Sequence, residues 1–293
     1  MPLPRKLRIL LINAYDMEEH YEMYRKGLIP GHHLFGAPEL ARDYNMEIII
    51  PKQVKYSFLN TIGNLFDIAL LDQQIRAMIA LRKCDILYAP YAAADTKLIL
   101  LAKLFGFIRK PIVILVHNPL FGKPSKYKWK RKLVRKLILT YDTIILLCQR
   151  MRTELIDAYD IDPVHAEKHL LLSHWGADME FFDKFSTPNT PATKNFLISS
   201  GKSRRDFDLL VGAAAKIDFP FKIYCTPICF PKTTPIPKNV ELLSGDFPFE
   251  QICRDYADAR IILIPLSSDP EGTVGFTSLM DAMGMSKPAI MSE

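Results

Sequence analysis

The chain has 293 residues, of which 49% are hydrophobic and 24% are charged. This composition excludes an intrinsically disordered chain, and the length suffices for about two domains with buried cores. The formal net charge of +6 at pH 7 indicates an anionic partner, so nucleic acid, an acidic membrane surface and phosphorylated substrates all stay open.

The cysteines and the N-terminal residues indicate in which cellular compartment the chain is expected. The five cysteines lie mostly in apolar segments, which favours a reducing compartment over a disulfide framework. The start MPLPRKLRILLINAYD is basic and then apolar, as in a signal peptide, but acidic residues follow without a cleavage pattern. No stretch approaches the roughly 18 uncharged apolar residues that a membrane span needs.

Short Val/Ile/Leu runs alternate with helical patterns along the first part of the chain, which is typical of a parallel sheet covered on both faces. Strands are predicted at 7–13, 46–51, 85–90, 111–118, 143–148 and 169–175. Helices are predicted near 34–44, 65–82, 95–106, 126–139 and 149–159.

A polar, proline-containing stretch, residues 185–195, interrupts this alternation and predicts a linker between domains at 1–184 and 196–293. Strands then follow at 196–201, 221–226, 240–245, 260–266 and 288–292, with helices near 206–216, 249–258 and 277–286. We therefore expect an α/β chain with two doubly wound, Rossmann-like domains. The second sheet is expected to be incomplete at its C-terminal end, because the chain stops after the last predicted strand.

The final segment, GFTSLMDAMGMSKPAIMSE, places a small turn before an apolar helix that carries Asp281. A helix start suits an anion, because its first N–H groups lack intrahelical partners and the helix dipole adds positive charge. A phosphate there, with its ribose hydroxyls on Asp281, is one interpretation. The other is a capping box formed by Ser278 and Asp281, which needs no ligand.

This segment resembles the nucleotide-binding signature of GT-B-type glycosyltransferases, Gly-x-Thr-Ser-Leu-x-Glu-Ala-Met-Ala-x-Gly-x-Pro. The matching residues are Gly275, Thr277, Ser278, Leu279, Ala282, Met283 and Pro288. Asp281 stands where the family has its ribose-binding Glu, and Ser286 stands where Gly is usual. Some members carry an acid eight positions upstream; that position is Thr273, with Glu271 nearby but out of register.

A second match lies after the strand predicted at 196–201, where Lys202, Arg204 and Arg205 form a cationic loop before a helix. Such a loop can hold a diphosphate or can simply be solvated. The resemblance implies that Lys202 and Arg205 contact the donor diphosphate.

Three further positions are candidates. His117 ends the fourth strand, and the resemblance implies a contact with the donor sugar. His33 and Gly36 lie in the first loop of the family fold, which approaches phosphates and acceptor. Adjacent His32 and His33 are not expected to face the same way, so they make a poor metal pair. The resemblance implies no metal and no cofactor, because GT-B enzymes generally need no metal.

The run KPSKYKWKRKLVRK, residues 123–136, is strongly basic and includes Tyr127 and Trp129. It suits a solvated helix face, an anionic membrane surface or a lipid-phosphate acceptor, and nucleic acid is a further possibility from charge alone. The predicted docking residues are Lys128, Trp129, Lys130, Arg131 and Lys132.

The resemblance implies a hexosyltransferase, retaining and acting in polysaccharide or glycolipid synthesis. Its expected partners are a nucleotide-diphosphate sugar, a sugar or lipid-linked acceptor and an anionic membrane surface, without nucleic acid. The expected location is cytoplasmic, peripheral on the inner face of the plasma membrane. The alternatives are a non-catalytic GT-B-like module and a nucleotide-sugar epimerase.

Overall fold

The computed structural model describes residues 5–91, 96–121, 124–185, 195–267 and 273–292. The chain divides into two compact units. The first unit comprises Met1–Glu22 and Leu34–His174, and the second comprises Met23–His33 and Trp175–Glu293. Each contains one parallel sheet with helices between successive strands, so the predicted pair of doubly wound α/β domains is confirmed.

The sheet of the first unit has six strands in the order β2-β1-β3-β4-β5-β6. They are β1 (Arg8–Leu11), β2 (Glu47–Ile49), β3 (Ile86–Tyr91), β4 (Ile112–Val116), β5 (Thr143–Leu146) and β6 (Leu170–Leu172). Their side chains are mostly Val, Ile and Leu because helices cover both faces. Ile112, Ile114 and Ile144 are almost fully buried and form part of one continuous core.

The helices of this unit follow the chain order. They are α1 (Met17–Arg25, whose end falls in the second unit), α2 (Ala37–Asp43), α3 (Ser57–Leu65), α4 (Leu71–Ala80), α5 (Lys97–Leu104), α6 (Lys128–Ile138), α7 (Gln149–Tyr159) and α8 (Pro163–His169).

The sheet of the second unit has five strands in the order β11-β10-β7-β8-β9. They are β7 (Leu197–Gly201), β8 (Phe221–Cys225), β9 (Val240–Ser244), β10 (Ile261–Ile264) and β11 (Ala289–Met291). The helices are α9 (Met179–Phe182), α10 (Phe207–Ala214), α11 (Phe249–Asp258) and α12 (Phe276–Gly284).

Every strand predicted from the sequence is present, and the helices differ more. The helix predicted at 65–82 is shorter than expected: α4 lies within that range, and α3, which the sequence does not predict, ends at Leu65 before a turn. Asp67 and Leu70 in that turn have positive φ angles of 54° and 47°, which no continuous helix accommodates. The helix predicted at 34–44 begins as a 3₁₀ turn, Gly31–Leu34, before α2.

The boundary between the units falls earlier in the chain than the sequence predicts. The first unit ends at His174 rather than at residue 184. Phe181 and Phe182 are buried in the core of the second unit together with Ile262 and Met285, which holds α9 there. Residues 186–194, most of the predicted linker, lie outside the described residues.

Candidate functional site

The order of strands in the second sheet defines where its ligand site is expected. The chain runs from β7 outward through β8 and β9, then returns to the other side of β7 with β10 and β11. Ligands of such sheets bind outside the carboxyl ends of the strands where the order reverses. That point lies between β7 and β10. A bridge between Arg205 and Leu266 joins the two loops there.

The loop after β7 carries Arg205 to this point. Arg204 has a φ of 52°, a left-handed conformation that turns the chain back towards β10. The Arg205 side chain then lies over Gly201. A Cβ at residue 201 would come within 2.5 Å of Arg205 Cγ, so only glycine leaves room for this conformation. Lys202, also predicted to bind diphosphate, is exposed on the same loop.

Arg205 is a desolvated cation. Its Nη2 donates to Ser278 Oγ at 2.8 Å, whereas its Nε–H is buried and has no hydrogen-bond partner among the described residues. Burial lowers the pKa of the guanidinium, which Tyr256, Cys229 and Asp281 partly oppose. The group stays charged, because arginine does not deprotonate in proteins. A buried, incompletely paired guanidinium provides a forked donor for an anionic oxygen.

Helix α12 begins beside Arg205. Its N-cap is Gly275 with a φ of 89°, and no side chain caps the first turn. The capping-box interpretation is therefore wrong, because Ser278 lies inside the helix and its Oγ accepts the hydrogen bond from Arg205 instead. Thr277 is exposed in the first turn. Gly275, Thr277 and Ser278, predicted to lie near the nucleotide, are thus at the reversal point of the sheet.

Asp281 is buried and contacts two histidines. His32 Nε2 lies 3.3 Å and His33 Nε2 lies 3.8 Å from Asp281 Oδ1. Burial alone raises the pKa of this carboxyl, but hydrogen bonds and charges from His32 and His33 outweigh it, so the pKa lies below its ordinary value. Asp281 is therefore an ionised acceptor one turn and a half into α12. The expectation that the adjacent histidines face apart is wrong.

The hydrogen bond of the His32 ring helps to decide whether His32, His33 and Asp281 form a metal site. His32 Nδ1 accepts a hydrogen bond from the backbone N–H of Asp178 at 3.3 Å. A backbone amide only donates, so the proton of a neutral His32 is on Nε2, facing Asp281. The ligand atoms of His32, His33 and Asp281 lie within 4.8 Å of one another, a spacing that a metal ion could use. A metal-bound imidazole normally donates its other N–H, whereas His32 Nδ1 accepts from Asp178, so this contact argues against a metal centre.

The segment carrying the histidines is fastened to the second unit. Gly31 N–H donates to Asp178 Oδ2 at 2.7 Å, and Trp175 Nε1 donates to the His32 carbonyl at 3.2 Å. Asp178 also caps α9 by accepting from Phe181 N–H. His33 was expected in the first domain. It lies in the second unit because Asp178 and Trp175 hold its loop there.

His117 lies in the first unit, directly after β4 as predicted. It is buried, and its ring packs edge-on against Phe35 with centroids 5.0 Å apart. Burial lowers the pKa of His117 to about 4, so the imidazole is neutral at physiological pH. Phe35 is held by a hydrogen bond from Tyr88 Oη to its carbonyl at 2.7 Å. Gly36 follows with a φ of 82° and caps α2.

The predicted docking residues belong to α6. Lys128, Trp129, Lys130, Arg131 and Lys132 are all exposed, and Leu137 and Ile138 at the end of the helix are buried. The Lys130 ammonium lies 5.4 Å from the Trp129 ring centroid. Lys123, the first residue of the basic run, and Glu271 lie outside the described residues.

The model of glycosyltransferase family 4 matches residues 32–167, a little under half of the chain. No curated protein sequence matches. Among solved structures, HepE of Anabaena, solved in complex with UDP and glucose, superposes with a TM-score of 0.59 at 14% identity. The match covers 97% of this chain and 80% of HepE.

The trehalose-6-phosphate synthase OtsA superposes with a TM-score of 0.62 at 10% identity, covering 98% of this chain and 84% of OtsA. The chain has the GT-B fold. The predicted resemblance to GT-B-type glycosyltransferases is therefore confirmed. UDP-N-acetylglucosamine 2-epimerase of Rickettsia bellii also superposes with this GT-B chain, with a TM-score of 0.53 at 16% identity over 97% of the chain and 78% of the epimerase.

Among the described residues, no helix of this chain has both the length and the apolar character that a membrane span requires.

Proposed function

We propose that this GT-B chain is a glycosyltransferase that moves a hexose from a nucleotide-diphosphate sugar to a hydroxyl acceptor. The observation that carries the proposal is the half-buried guanidinium of Arg205, with its buried Nε–H, at the reversal point of the second sheet. Its unpaired Nε–H lies beside the start of α12, the helix that also carries the ionised Asp281. This combination suits a ligand that carries both phosphate and hydroxyl groups.

In the proposed complex each group has one task. Arg205 and Lys202 bind the diphosphate, and the first amides of α12, from Gly275 to Ser278, approach the same phosphates. Asp281 accepts hydrogen bonds from the ribose hydroxyls, and His32 orients its carboxylate. These roles follow the family resemblance, and the burial of Asp281 and Arg205 supports them.

The chemistry requires charge stabilisation above all. Negative charge grows on the diphosphate as it leaves, and preorganised donors in a desolvated site stabilise such charge more than water does. Arg205 is already held in place by Ser278, so it needs little reorganisation. His117, neutral at physiological pH, contacts the donor sugar in this proposal. The retaining outcome, in which a donor phosphate oxygen takes the acceptor proton, is part of the same proposal.

The acceptor is a sugar or a lipid-linked sugar, and the reaction belongs to polysaccharide or glycolipid synthesis at the cytoplasmic face of a membrane. The exposed cations of α6 support this part of the proposal, because a polybasic segment gains on the order of 1 kcal/mol per Lys or Arg near anionic lipid. No metal is required in the proposed reaction.

Isothermal calorimetry with UDP, UDP-glucose and other nucleotide sugars tests the proposal. We expect binding of a nucleoside diphosphate without added metal, and we expect no binding of the parent nucleoside. Release of UDP only when an acceptor is present identifies a transferase. Release of an altered sugar without any acceptor identifies an epimerase, the activity named for the Rickettsia bellii neighbour. Failure of every nucleotide to bind leaves the non-catalytic module and removes the proposal.

A further inference from the structure

Helix α3 exposes an apolar stripe that the proposed donor site does not use. Its sequence, SFLNTIGNL, contains no charged residue. Phe58, Ile62 and Leu65 recur at the spacing of one helix face, and Phe66 continues that face just after the helix. Leu65 is 79% exposed, Phe66 69% and Phe58 60%. A contiguous exposed apolar face of this kind marks an interaction surface.

The orientation of α3 is fixed by its other face. Gly63 is buried so tightly against the following turn that a Cβ there would lie 2.5 Å from the Ile68 carbonyl oxygen. Asn60 accepts a hydrogen bond at 3.0 Å from the backbone N–H of Asp72 in α4. The helix is thus held by a small residue and a polar one, and its large apolar side chains point to solvent.

Helix α3 lies at the carboxyl edge of the first sheet, which here means the end of the sheet where the carboxyl ends of its parallel strands meet. Lys55 N–H, just before α3, donates at 2.6 Å to Asp72 in the first turn of α4. Asp67, just after α3, accepts at 2.7 Å from Lys97, the first residue of α5. Both α4 and α5 begin at the carboxyl edge, because each runs back towards the start of the next parallel strand. Ligands of doubly wound sheets bind at this edge.

The same edge carries the basic start of α6, which follows β4. Helix α3 packs on α4, α4 on α5, and α5 on α6, so α3 and α6 belong to one layer of helices. Residues 51–66 include Lys52 and Lys55 but no acidic residue. Trp129, 64% exposed, lies in the first turn of α6. An apolar stripe and a cationic, aromatic stripe on one layer complement an anionic bilayer, which offers acyl chains and negative headgroups.

We propose that α3 is a lipid-contacting helix that lies in the interface of an anionic bilayer, with Phe58, Ile62, Leu65 and Phe66 among the acyl chains, while α6 binds the headgroups. This inference rests on the proposed action on a membrane-bound acceptor. It assigns the two helices different physical roles. The contribution of α6 is electrostatic and screened by salt, whereas that of α3 is hydrophobic and persists at high salt.

The experiment is co-sedimentation with vesicles of phosphatidylcholine and phosphatidylglycerol at low and high salt. The variant Phe58→Ser/Leu65→Ser removes two of the four side chains of the stripe. The matched control, Phe105→Ser/Phe107→Ser, removes two apolar side chains of similar or greater exposure that follow α5 at the opposite, amino edge of the sheet. We expect the α3 variant to bind about tenfold more weakly or worse at both salt concentrations. We expect the control to bind like the parent chain, and Lys128→Glu/Lys130→Glu/Arg131→Glu/Lys132→Glu to lose binding mainly at low salt.

A second measurement reports insertion directly and does not depend on loss of binding. In Phe58→Trp, vesicles should shift the added emission to shorter wavelength relative to the parent chain, and in Phe105→Trp they should not. Equal spectra for both variants, or equal loss of binding in the serine variant and its control, overturn the proposal. An α3 variant that changes the elution volume of the free chain, without any vesicle effect, assigns the stripe to contact between copies and also overturns it.

UDP binding by calorimetry separates this inference from the proposed function. If UDP binds and the vesicle experiments fail, only the lipid contact is lost. If UDP does not bind, the transferase proposal fails whatever the vesicles show.

Discussion

His32 Nε2 lies 3.3 Å from Asp281 Oδ1, and both side chains are almost fully buried. The imidazole is fixed from its other side by the N–H of Asp178, so Nε2, which carries the proton of the neutral ring, faces the carboxylate at short distance. A buried carboxylate is costly unless polar or charged neighbours compensate it. The loop at residues 31–33 therefore allows α12 to hold an ionised acid next to Arg205.

We expect Asp281→Asn and His32→Asn each to lower the free energy of unfolding by about 1–3 kcal/mol, because each leaves a buried polar group without its partner. The double variant should lose less than the sum, with a coupling energy of about 0.5–3 kcal/mol. Urea unfolding of the four proteins measures it. His33→Asn is the control, because His33 is more distant, 3.8 Å, and one fifth exposed; it should couple less strongly. Strict additivity of Asp281→Asn and His32→Asn would show that the contact has no energetic weight.

Most of the fold could be predicted from the sequence, because buried parallel strands are continuous apolar runs. All the predicted strands are present, from Arg8–Leu11 to Ala289–Met291. Helix α3 was not predicted, because its exposed face is apolar and its packed face holds Asn60 and Gly63, the reverse of the usual pattern. Four-residue α9 is too short to give a period, and tertiary packing of Phe182 fixes it.

The candidate site could be predicted from the sequence only in part. Gly275, Ser278 and Arg205 were found from local patterns, and the structure brings Arg205 and Ser278 into hydrogen-bond contact. Their roles in binding a nucleotide stay predictions. The partnership of Asp281 with His32 was missed, because it joins distant parts of the chain and depends on the 3₁₀ turn at Gly31–Leu34. The only signal was a pair of histidines after Pro30 and Gly31, and that pattern does not reveal a partner.

Arg205→Ala should weaken binding of UDP or another accepted nucleotide by roughly ten- to a hundredfold, because a charge-assisted hydrogen bond contributes about 1.5–3 kcal/mol. Lys202→Ala should have a smaller effect, since Lys202 is exposed and its charge is screened. Calorimetry gives the affinities.

The matched control for Arg205 is its neighbour. Arg204→Asn removes the same charge from the same loop and keeps a residue that tolerates the φ of 52°. Its affinity should stay close to that of the parent chain. Equal weakening by Arg204→Asn and Arg205→Ala would mean that only the net charge of the loop matters. No weakening by either would remove Arg205 from the donor site.

Two helical glycines should respond in opposite ways to alanine. In α12, a Cβ on Gly284 would lie 2.2 Å from Cδ2 of Phe182, so Gly284→Ala should cost about 1–3 kcal/mol of stability through overpacking. In α10, a Cβ on Gly212 would meet nothing nearer than Thr234 Cγ2 at 3.9 Å. Gly212→Ala should therefore stabilise the chain by about 0.4–1 kcal/mol. A Gly284→Ala variant that unfolds at the same temperature as the parent chain, or higher, would contradict the packing of α9 against α12.

His117 should make stability depend on pH in a definite direction. Burial holds its pKa at about 4 in the folded chain, below the ordinary value of 6.5, so the unfolded chain binds a proton more readily. Stability from this residue is fully present above pH 6.5 and is lost as the pH falls towards 4. The full loss is about 3 kcal/mol, of which about 2 kcal/mol is reached by pH 5.

Urea unfolding of the parent chain and of His117→Asn between pH 7.5 and pH 5 isolates this contribution, because all other titrating groups are common to both proteins. Asparagine has no titrating group, so the free energy of unfolding of His117→Asn should fall less over this range than that of the parent chain. The difference between the two proteins, plotted against pH, should follow the titration of one imidazole. His174→Asn removes an exposed imidazole and serves as the control for histidine loss at the surface. Parallel curves for the parent chain and His117→Asn would mean that the folded chain accommodates a protonated His117. A cation at the end of β4 would then replace the neutral imidazole proposed to contact the donor sugar.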